Sequence, residues 1–376
     1  MTDRTYHIST FLPTQCGIAT YTEDLIKALA GNMPLRARML YETDADVPGP
    51  DCVIHINDPE SYRAAAARIN ASEAAVVSLQ HEFGIFGGER GNFVKLLVDQ
   101  LQKPLVTTFH TVTPLLSPPR QEIIGYVTAK SSGVVVLSES NAAFLHQHFG
   151  VPEEKLHVIR HGVPETPFVA PADTPLRRRL NAPLVFFSMG HLRRSKGYKY
   201  ALRSLARFKE KVPDFKYIIA GTYQEQNGEG EEMRQKLNEL IDGLGLRDNV
   251  IWGERFLPME EVLEHIKASD IGLVTYTGVE QSSSGVLPLV LSCGRPVIAT
   301  AFEYAVNLKS VVGDCLEIAA LNDYDSIVQS IEKLASPQAD LPGMMRAAYD
   351  RTRTFVWPRV GEKYLQAFRQ AAASFT

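Results

Sequence analysis

The sequence predicts an α/β protein built from two doubly wound parallel sheets. Three observations predict it. Short apolar strand segments alternate with helical stretches along most of the chain, and strands apolar on both faces belong to parallel sheets. A stretch rich in proline, threonine and arginine, from Glu165 to Pro183, interrupts the alternation, which then starts again. The 376 residues also exceed what one ordinary core takes up.

Composition narrows the function. The apolar fraction of 45% and charged fraction of 22% are those of a soluble globular protein. A net charge of -4 supplies no basic field for nucleic acid. No apolar run is long enough to span a bilayer, and the N-terminal MTDRTYHIST lacks the apolar centre of a signal peptide. Cys16, Cys52, Cys293 and Cys315 show neither CxxC pairing nor metal spacing. The expectation is a cytoplasmic, reduced protein without a nucleic-acid partner. Attachment to a membrane surface and the oligomeric state stay open.

In order, Tyr6 to Phe11 reads as a first strand, Leu12 to Gly17 as a turn-rich loop, and Ile18 to Leu29 as a helix with one apolar side. Strand, glycine loop and helix open a doubly wound domain, whose ligands sit beyond the carboxyl ends of the strands. Gly17 either admits a ligand to the backbone or only shapes the turn. Further strands are expected at Cys52–Ile56, Ala75–Leu79, Leu105–Phe109, Gly133–Leu137 and Lys155–Ile159, with helices such as Pro59–Ile69 and Asn92–Gln102 between them. Polar groups follow four of these strands: Gln80-His81-Glu82, His110-Thr111, Ser138-Glu139-Ser140 and Arg160-His161-Gly162. A lone histidine is more often a structural hydrogen-bonder than a catalyst, but four polar strand ends in succession point to a site.

The second domain begins with a strand at Leu184–Met189, the loop Gly190-His191-Leu192-Arg193-Arg194-Ser195-Lys196-Gly197, and a helix over Tyr198–Lys209. Strands at Lys216–Ala220, Val250–Trp252 and Ile271–Thr275 and helices at Glu231–Leu244 and Met259–Ala268 follow. Tyr276 to Thr300, YTGVEQSSSGVLPLVLSCGRPVIAT, then reads as a loop, a buried helix over Val286–Cys293 and a strand over Pro296–Thr300. Gly294 suits the left-handed position after that helix. Helices at Asp323–Ser336 and near Leu341–Thr352 precede Phe355-Val356-Trp357-Pro358 and a last helix from about Arg359 to Ala373.

Two of these segments suggest anion chemistry. A serine- and glycine-rich loop opening a helix presents free N–H groups and the positive end of the helix dipole, a setting for phosphate or for plain capping by Ser283 or Ser284. Arg193, Arg194 and Lys196 add three cations beside two glycines, suited to phosphate oxygens or to a solvated basic loop. GxxxxGKS/T, GxSxG, HExxH and a dinucleotide GxGxxG after the first strand are all missing, which removes the commonest kinase, hydrolase, zinc-protease and hydride-transfer readings. A diphosphate leaving group held by cations and helix N–H groups fits, and its stabilisation requires no metal.

At this level of detail the chain resembles the family 4 retaining glycosyltransferases. Gly190 to Gly197 is similar to the family's G-R-L-x-x-x-K-G, and Glu280 to Thr300 to its E-x7-E…G-x-P-V-x-A-T segment. His110, Ser138-Glu139 and Ile159–Val163 (IRHGV, like I-P-N-G-V) agree in order, and the aromatic-led last helix resembles the family's return to the first domain. The resemblance implies a GT-B fold, two Rossmann-like domains facing a cleft. Residues 1–170 plus 356–376 would form the acceptor-side domain and 180–355 the donor-side domain. It implies retaining transfer of a hexose, mannose or glucose, from GDP or UDP to a saccharide or lipid-linked acceptor, as in polysaccharide biosynthesis, with no metal and no cofactor beyond the nucleotide sugar.

Carried onto this sequence, the resemblance gives His110, Lys196 and Glu280 catalytic roles. Gly17, Arg193, Arg194, Lys196, Ser283, Ser284, Gly285 and Val286 would hold the donor phosphates. Gly253, Phe256 and Leu257 would lie near the base, and Gln15, His81 and Glu82 would receive the acceptor. Two positions depart from the pattern. His191 stands where the family has arginine. Counting back from Gly294, Leu289 takes the place of the second glutamate, which usually binds the donor ribose, and Gln281 that of the first, with Glu280 one residue out. The loss raises an alternative on the same fold, a glycoside phosphorylase or sugar-phosphate-using synthase, and a non-catalytic nucleotide-sugar-binding protein is a further alternative.

Overall fold

The computed structural model describes residues 4–14, 16–29, 33–40, 50–222, 229–253, 255 and 257–375. The chain divides into two compact units, Met1–Gly162 with Phe355–Thr376, and Val163–Thr354.

The first unit runs β1 (Arg4–Ser9), α1 (Gly17–Ala28), β2 (Met33–Leu40), β3 (Cys52–His55), α2 (Pro59–Asn70), β4 (Val76–His81), α3 (Val94–Val98), β5 (Leu105–Phe109), α4 (Pro118–Lys130), β6 (Gly133–Val136), α5 (Glu139–Phe149) and β7 (Leu156–Val158). Its seven parallel strands lie in the order β3-β2-β1-β4-β5-β6-β7. The reversal of direction beside β1 places the ends of β1 and β4 at the switch point of a doubly wound sheet.

The second unit runs α6 (Pro175–Leu180), β8 (Val185–His191), α7 (Tyr198–Lys209), β9 (Lys216–Thr222), α8 (Glu229–Gly243), β10 (Val250–Trp252), α9 (Met259–Ala268), β11 (Ile271–Val274), α10 (Val286–Ser292), β12 (Val297–Thr300), α11 (Glu303–Val312), β13 (Leu316–Ala319), α12 (Tyr324–Ala335) and α13 (Leu341–Arg351). Its six parallel strands follow the order β10-β9-β8-β11-β12-β13. The expected doubly wound α/β architecture is present in both units.

Several elements differ from expectation for physical reasons. β2 has no counterpart in the sequence reading because Pro34, Arg36 and Arg38 interrupt its apolar alternation. In the fold Ala37 and Met39 are fully buried, Arg36 pairs with Glu23 at 3.4 Å, and Arg38 donates to the Thr14 hydroxyl at 3.3 Å. The helix expected over Asn92–Gln102 is a short one, Val94–Val98, entered from left-handed Gly91 and left before Pro104. β8 continues through Gly190 and His191, residues expected in a loop, because both pair with β9. The region 165–183, read as a linker and a charged segment, carries α6, whose Arg177 is bonded to Asp270 at 2.6 Å.

A second buried arginine fixes the organising stretch of the sequence. Arg295 is fully buried and donates to the carbonyls of Ile266, Lys267, Cys293, Gly294 and Val169. These include carbonyls at the C-terminal ends of α9 and α10, where a cation is favoured. Burial draws its pKa down to about 10, so it stays charged at neutral pH. Gly294 has φ +76, the left-handed conformation expected of it.

The last helix, α14 (Trp357–Ser374), belongs to the first unit. Trp357, Val360, Tyr364, Phe368 and Ala371 form its buried stripe and pack with Tyr21 and Leu25 of α1 and with Leu29 just past it. Gly361 permits the close approach, since a β-carbon there would collide with the Ala28 carbonyl oxygen. Among the described residues no helix is long and apolar enough to cross a membrane. Gly361→Val is expected to destabilise the first unit by about 1–3 kcal/mol, the usual cost of overpacking. Urea unfolding followed by the fluorescence of Trp357 measures it, and an unchanged midpoint would contradict the close α1–α14 packing.

Candidate functional site

In the second unit the basic loop is built by backbone constraint. Near the end of β8 lies Gly190, whose carbonyl accepts from Tyr198 Oη at 2.9 Å. A single turn of 3-10 helix over Arg194–Lys196 then leads to Gly197 at φ +67. No β-carbon fits at Gly197, where it would strike the Thr275 carbonyl oxygen. Thr275 Oγ1 donates to the Gly197 carbonyl at 3.0 Å, and Thr277 N donates to the Ser195 carbonyl at 3.0 Å. The loop is thereby clasped to the chain leaving β11.

That clasp sets the cations. Lys196 Nζ lies 3.9 Å from the centre of the Tyr276 ring. Arg193 and Arg194 are exposed, with Arg194 3.9 Å from Glu232. The two arginines share a surface pocket with Leu192, Glu232, Met233 and Lys236. His191 is half-buried, and burial first, then the charges of Arg193 and Lys196, hold its pKa below the usual value. At neutral pH the loop's charge therefore comes from Arg193, Arg194 and Lys196, and His191 does not supply the charge of the arginine it replaces.

Past β11, Tyr276 Oη and Ser284 Oγ are 3.5 Å apart. Ser284 Oγ accepts from Leu287 N at 3.3 Å, capping the seven-residue α10, and Gln281 Nε2 donates to the Ser283 carbonyl at 2.9 Å. Ser283, Gly285 and Val286 are half-buried beside that start. Glu280 is exposed. Among the described residues its carboxylate makes no hydrogen bond or ion pair, and it lies over Gly278, where a β-carbon would meet Oε1 at 2.8 Å. Lys196, Tyr276 and Ser284 thus come together. Leu289 is buried in α10. Beyond β10, Gly253 is exposed and Leu257 half-buried, and Trp252 Nε1 donates to the Gly221 carbonyl at 3.0 Å. Phe256 and Gln15 lie outside the described residues.

In the first unit the strand ends gather a second cluster. His110 Nε2 lies 2.8 Å from Gln80 Oε1, so the ring carries its proton on Nε2. Its backbone N–H donates to the His81 carbonyl at 3.0 Å. Glu82 accepts from Thr111 Oγ1 at 2.6 Å and from Phe83 N at 3.0 Å, and burial raises its carboxyl pKa. Phe83, Phe86 and Phe109 surround His81 with ring centres 5.0–5.6 Å away. Gly17 is the first residue of α1, where an added β-carbon would meet nothing within 4 Å.

Sequence comparison identifies two families over this architecture. The profile described as Glycosyltransferase Family 4 matches residues 16–166, and that described as Glycosyl transferases group 1 matches residues 176–349. The sucrose-phosphate synthase of Thermosynechococcus elongatus has a similar structure, with a TM-score of 0.75, 18% identity and coverage of 99% of both chains. Anabaena Alr3699/HepE solved with UDP gives a TM-score of 0.72 and 16% identity, covering 96% of this chain and 98% of that one. The chain has the GT-B fold.

Curated relatives of this GT-B protein include the D-inositol 3-phosphate glycosyltransferase of Geodermatophilus obscurus, 27% identical over 296 residues. That match covers 73% of this chain and 63% of the relative. The 2-deoxystreptamine glucosyltransferase of Streptomyces kanamyceticus is 24% identical over 256 residues, covering 66% of this chain and 59% of the relative. The chain thus spans less than two thirds of the length of these relatives. Among its described residues no group of His, Cys, Asp and Glu side chains is arranged to hold a metal ion.

Within each unit, side chains that the sequence does not single out join the cluster already described. Tyr276 underlies Lys196. Tyr21 packs its ring 4.9 Å from both His110 and His161, and its hydroxyl meets Tyr364 Oη at 2.8 Å. Thr108 Oγ1 reaches the same Tyr364 hydroxyl at 2.9 Å. These pairings join residues distant in sequence, and only the motif position of Tyr276, directly before the polar loop, offered a signal.

Burial draws the His110 pKa down to about 3, with the nearby His161 and His81 adding to the shift. The unfolded chain takes up a proton near pH 6.5 that the folded chain refuses until about pH 3, so this stability is full above pH 6.5 and is lost as pH falls. In an NMR titration the His110 ring is expected to stay neutral from pH 8 to pH 5. A midpoint near 6.5 would contradict its enclosure.

Proposed function

We propose that this chain is a retaining hexosyltransferase that takes mannose or glucose from a GDP- or UDP-sugar to a saccharide or lipid-linked acceptor. The observation that carries the proposal is the clasp of the basic loop to the serine loop, which puts Lys196 beside Tyr276 and, through its hydroxyl, Ser284. Fixed cations and N–H donors suit a diphosphate whose charge grows as the sugar leaves. The anomeric C–O bond breaks with its electron pair going to the diphosphate, and the acceptor oxygen forms the new bond on the same face as its proton passes to the departing phosphate oxygen.

The domain from 180 to 355 is assigned the donor. Lys196 takes the diphosphate with Arg193 and Arg194 assisting, and Ser283, Ser284 and the backbone at Gly285 and Val286 complete the phosphate contacts. Glu280, exposed and without a protein partner, is assigned to sugar hydroxyls. Gly253 and Leu257 are assigned to the base. The domain of 1–170 plus 356–376 is assigned the acceptor through His81 and Glu82, with Gly17 beside the phosphates. His110 hydrogen-bonds the transferred sugar. Its neutral ring suits that role, because an imidazolium acid is not available at neutral pH. Relatives named as glycosyltransferases support the transfer chemistry, and the neighbour solved with UDP-glucose puts UDP first among donors to test.

One observation favours a second reading. Leu289 is buried where the family's ribose carboxylate is expected, which suits a sugar-phosphate-using synthase or a phosphorylase. A donor and acceptor screen by product release separates the two. Nucleotide-dependent turnover supports the transferase, and release of a sugar 1-phosphate with inorganic phosphate alone supports the phosphorylase. Binding without turnover across the panel identifies a binding protein. Lys196→Ala is expected to lower kcat/KM by on the order of 100-fold, the scale of losing one donor to a developing charge. An unchanged kcat/KM would remove Lys196 from the mechanism.

A further inference from the structure

We infer that Tyr276 is a positioning residue for the donor diphosphate: its ring holds the Lys196 ammonium while its hydroxyl meets Ser284 at the start of α10. The inference deepens the proposed donor role of Lys196 and rests on it.

The geometry is specific. Lys196 Nζ stands 3.9 Å from the ring centre, well inside the range over which an aromatic face attracts a cation. The ring itself is fixed. Tyr276 is 4% exposed, Phe302 lies against it with ring centres 4.9 Å apart and planes 31° apart, and Thr300 Oγ1 donates to the Tyr276 carbonyl at 2.6 Å. Its neighbours on both sides are tied to the basic loop, Thr275 to the Gly197 carbonyl and Thr277 to the Ser195 carbonyl. At the other end of the ring, Oη lies 3.5 Å from Ser284 Oγ, the group that caps Leu287 N.

A lysine is a flexible point charge on a four-carbon stem, and holding it in one place costs side-chain entropy. No carboxylate forms an ion pair with Lys196 among the described residues. A ring face attracts the ammonium without neutralising it, so the full positive charge stays available to an incoming phosphate. A carboxylate in the same place would compete with that phosphate. The ring therefore does what an ion pair would not: it fixes the cation and leaves its charge unspent.

Two measurements test this. In the free protein, the Lys196 ε-methylene protons, assigned by their loss in Lys196→Arg, are expected to be shifted upfield by the ring. The shift is expected to persist in Tyr276→Phe and to vanish in Tyr276→Leu. A random-coil position in the wild type would overturn the inference whatever the protein binds.

The second is a double-mutant cycle on UDP and GDP affinity, with thermal unfolding as a check on folding. Tyr276→Phe is expected to stay within about twofold of wild type, and Tyr276→Leu to bind about tenfold more weakly, the scale of a shielded cation–π contact. In a Lys196→Ala background Tyr276→Leu is expected to cost almost nothing further. An equal loss in both backgrounds would reduce Tyr276 to a packing role and leave the donor assignment standing. Failure of the wild type to bind either nucleotide would overturn the donor assignment, and this inference with it.

Discussion

Gly197 has no room for a β-carbon. It holds a left-handed backbone against the Thr275 carbonyl, and the seating of the basic loop beside Tyr276 depends on that contact. With Gly197 in place, Thr275 Oγ1 and Thr277 N close two hydrogen bonds onto the basic loop. The chain leaving β11 is then forced past Lys196, and its next aromatic residue becomes the surface on which the ammonium rests. Any larger residue at 197 would part the two segments before side-chain chemistry entered. The glycine is therefore a requirement of close backbone approach and of conformation together.

Around that contact the protein manages its charges in two different ways. Arg295 and Arg177 are enclosed and spend their donors on the chain: Arg295 on carbonyls, Arg177 on carbonyls and Asp270. They hold α9, α10 and α6 in register and have nothing left for a ligand. Arg193, Arg194 and Lys196 lie on the loop with exposed or half-exposed side chains. In the first unit the histidines at the strand ends are enclosed and neutral, so that cluster offers directed hydrogen bonds without a cationic field. Neutral directed donors of this kind suit sugar hydroxyls, and exposed cations such as Arg193, Arg194 and Lys196 suit a diphosphate.

Much of this was legible in the sequence wherever the signal was local. The helices expected over Tyr198–Lys209 and Met259–Ala268 fold with those bounds as α7 and α9, the apolar strands fall within about two residues of where they are expected, and the glycines flanking Arg193–Lys196 mark the loop. The capping reading of Ser284 and the left-handed Gly294 followed from chain-local rules and are seen in the fold. What was hidden depends on pairings across the sequence. Tyr21 and Tyr364 are 343 residues apart, and nothing in either neighbourhood announces the bond between them. β2 was hidden because its arginines find partners only after folding. Glu280 lies with its carboxylate over Gly278, a placement that sequence adjacency to the serines does not announce.

The central claim is that the basic loop and the start of α10 form one surface for a nucleoside diphosphate. Amide hydrogen exchange with and without saturating UDP or GDP tests it most directly. Slowed exchange confined to residues 193–198 and 283–288 is the predicted result. Unchanged exchange in both segments, with the nucleotide bound, would contradict the account.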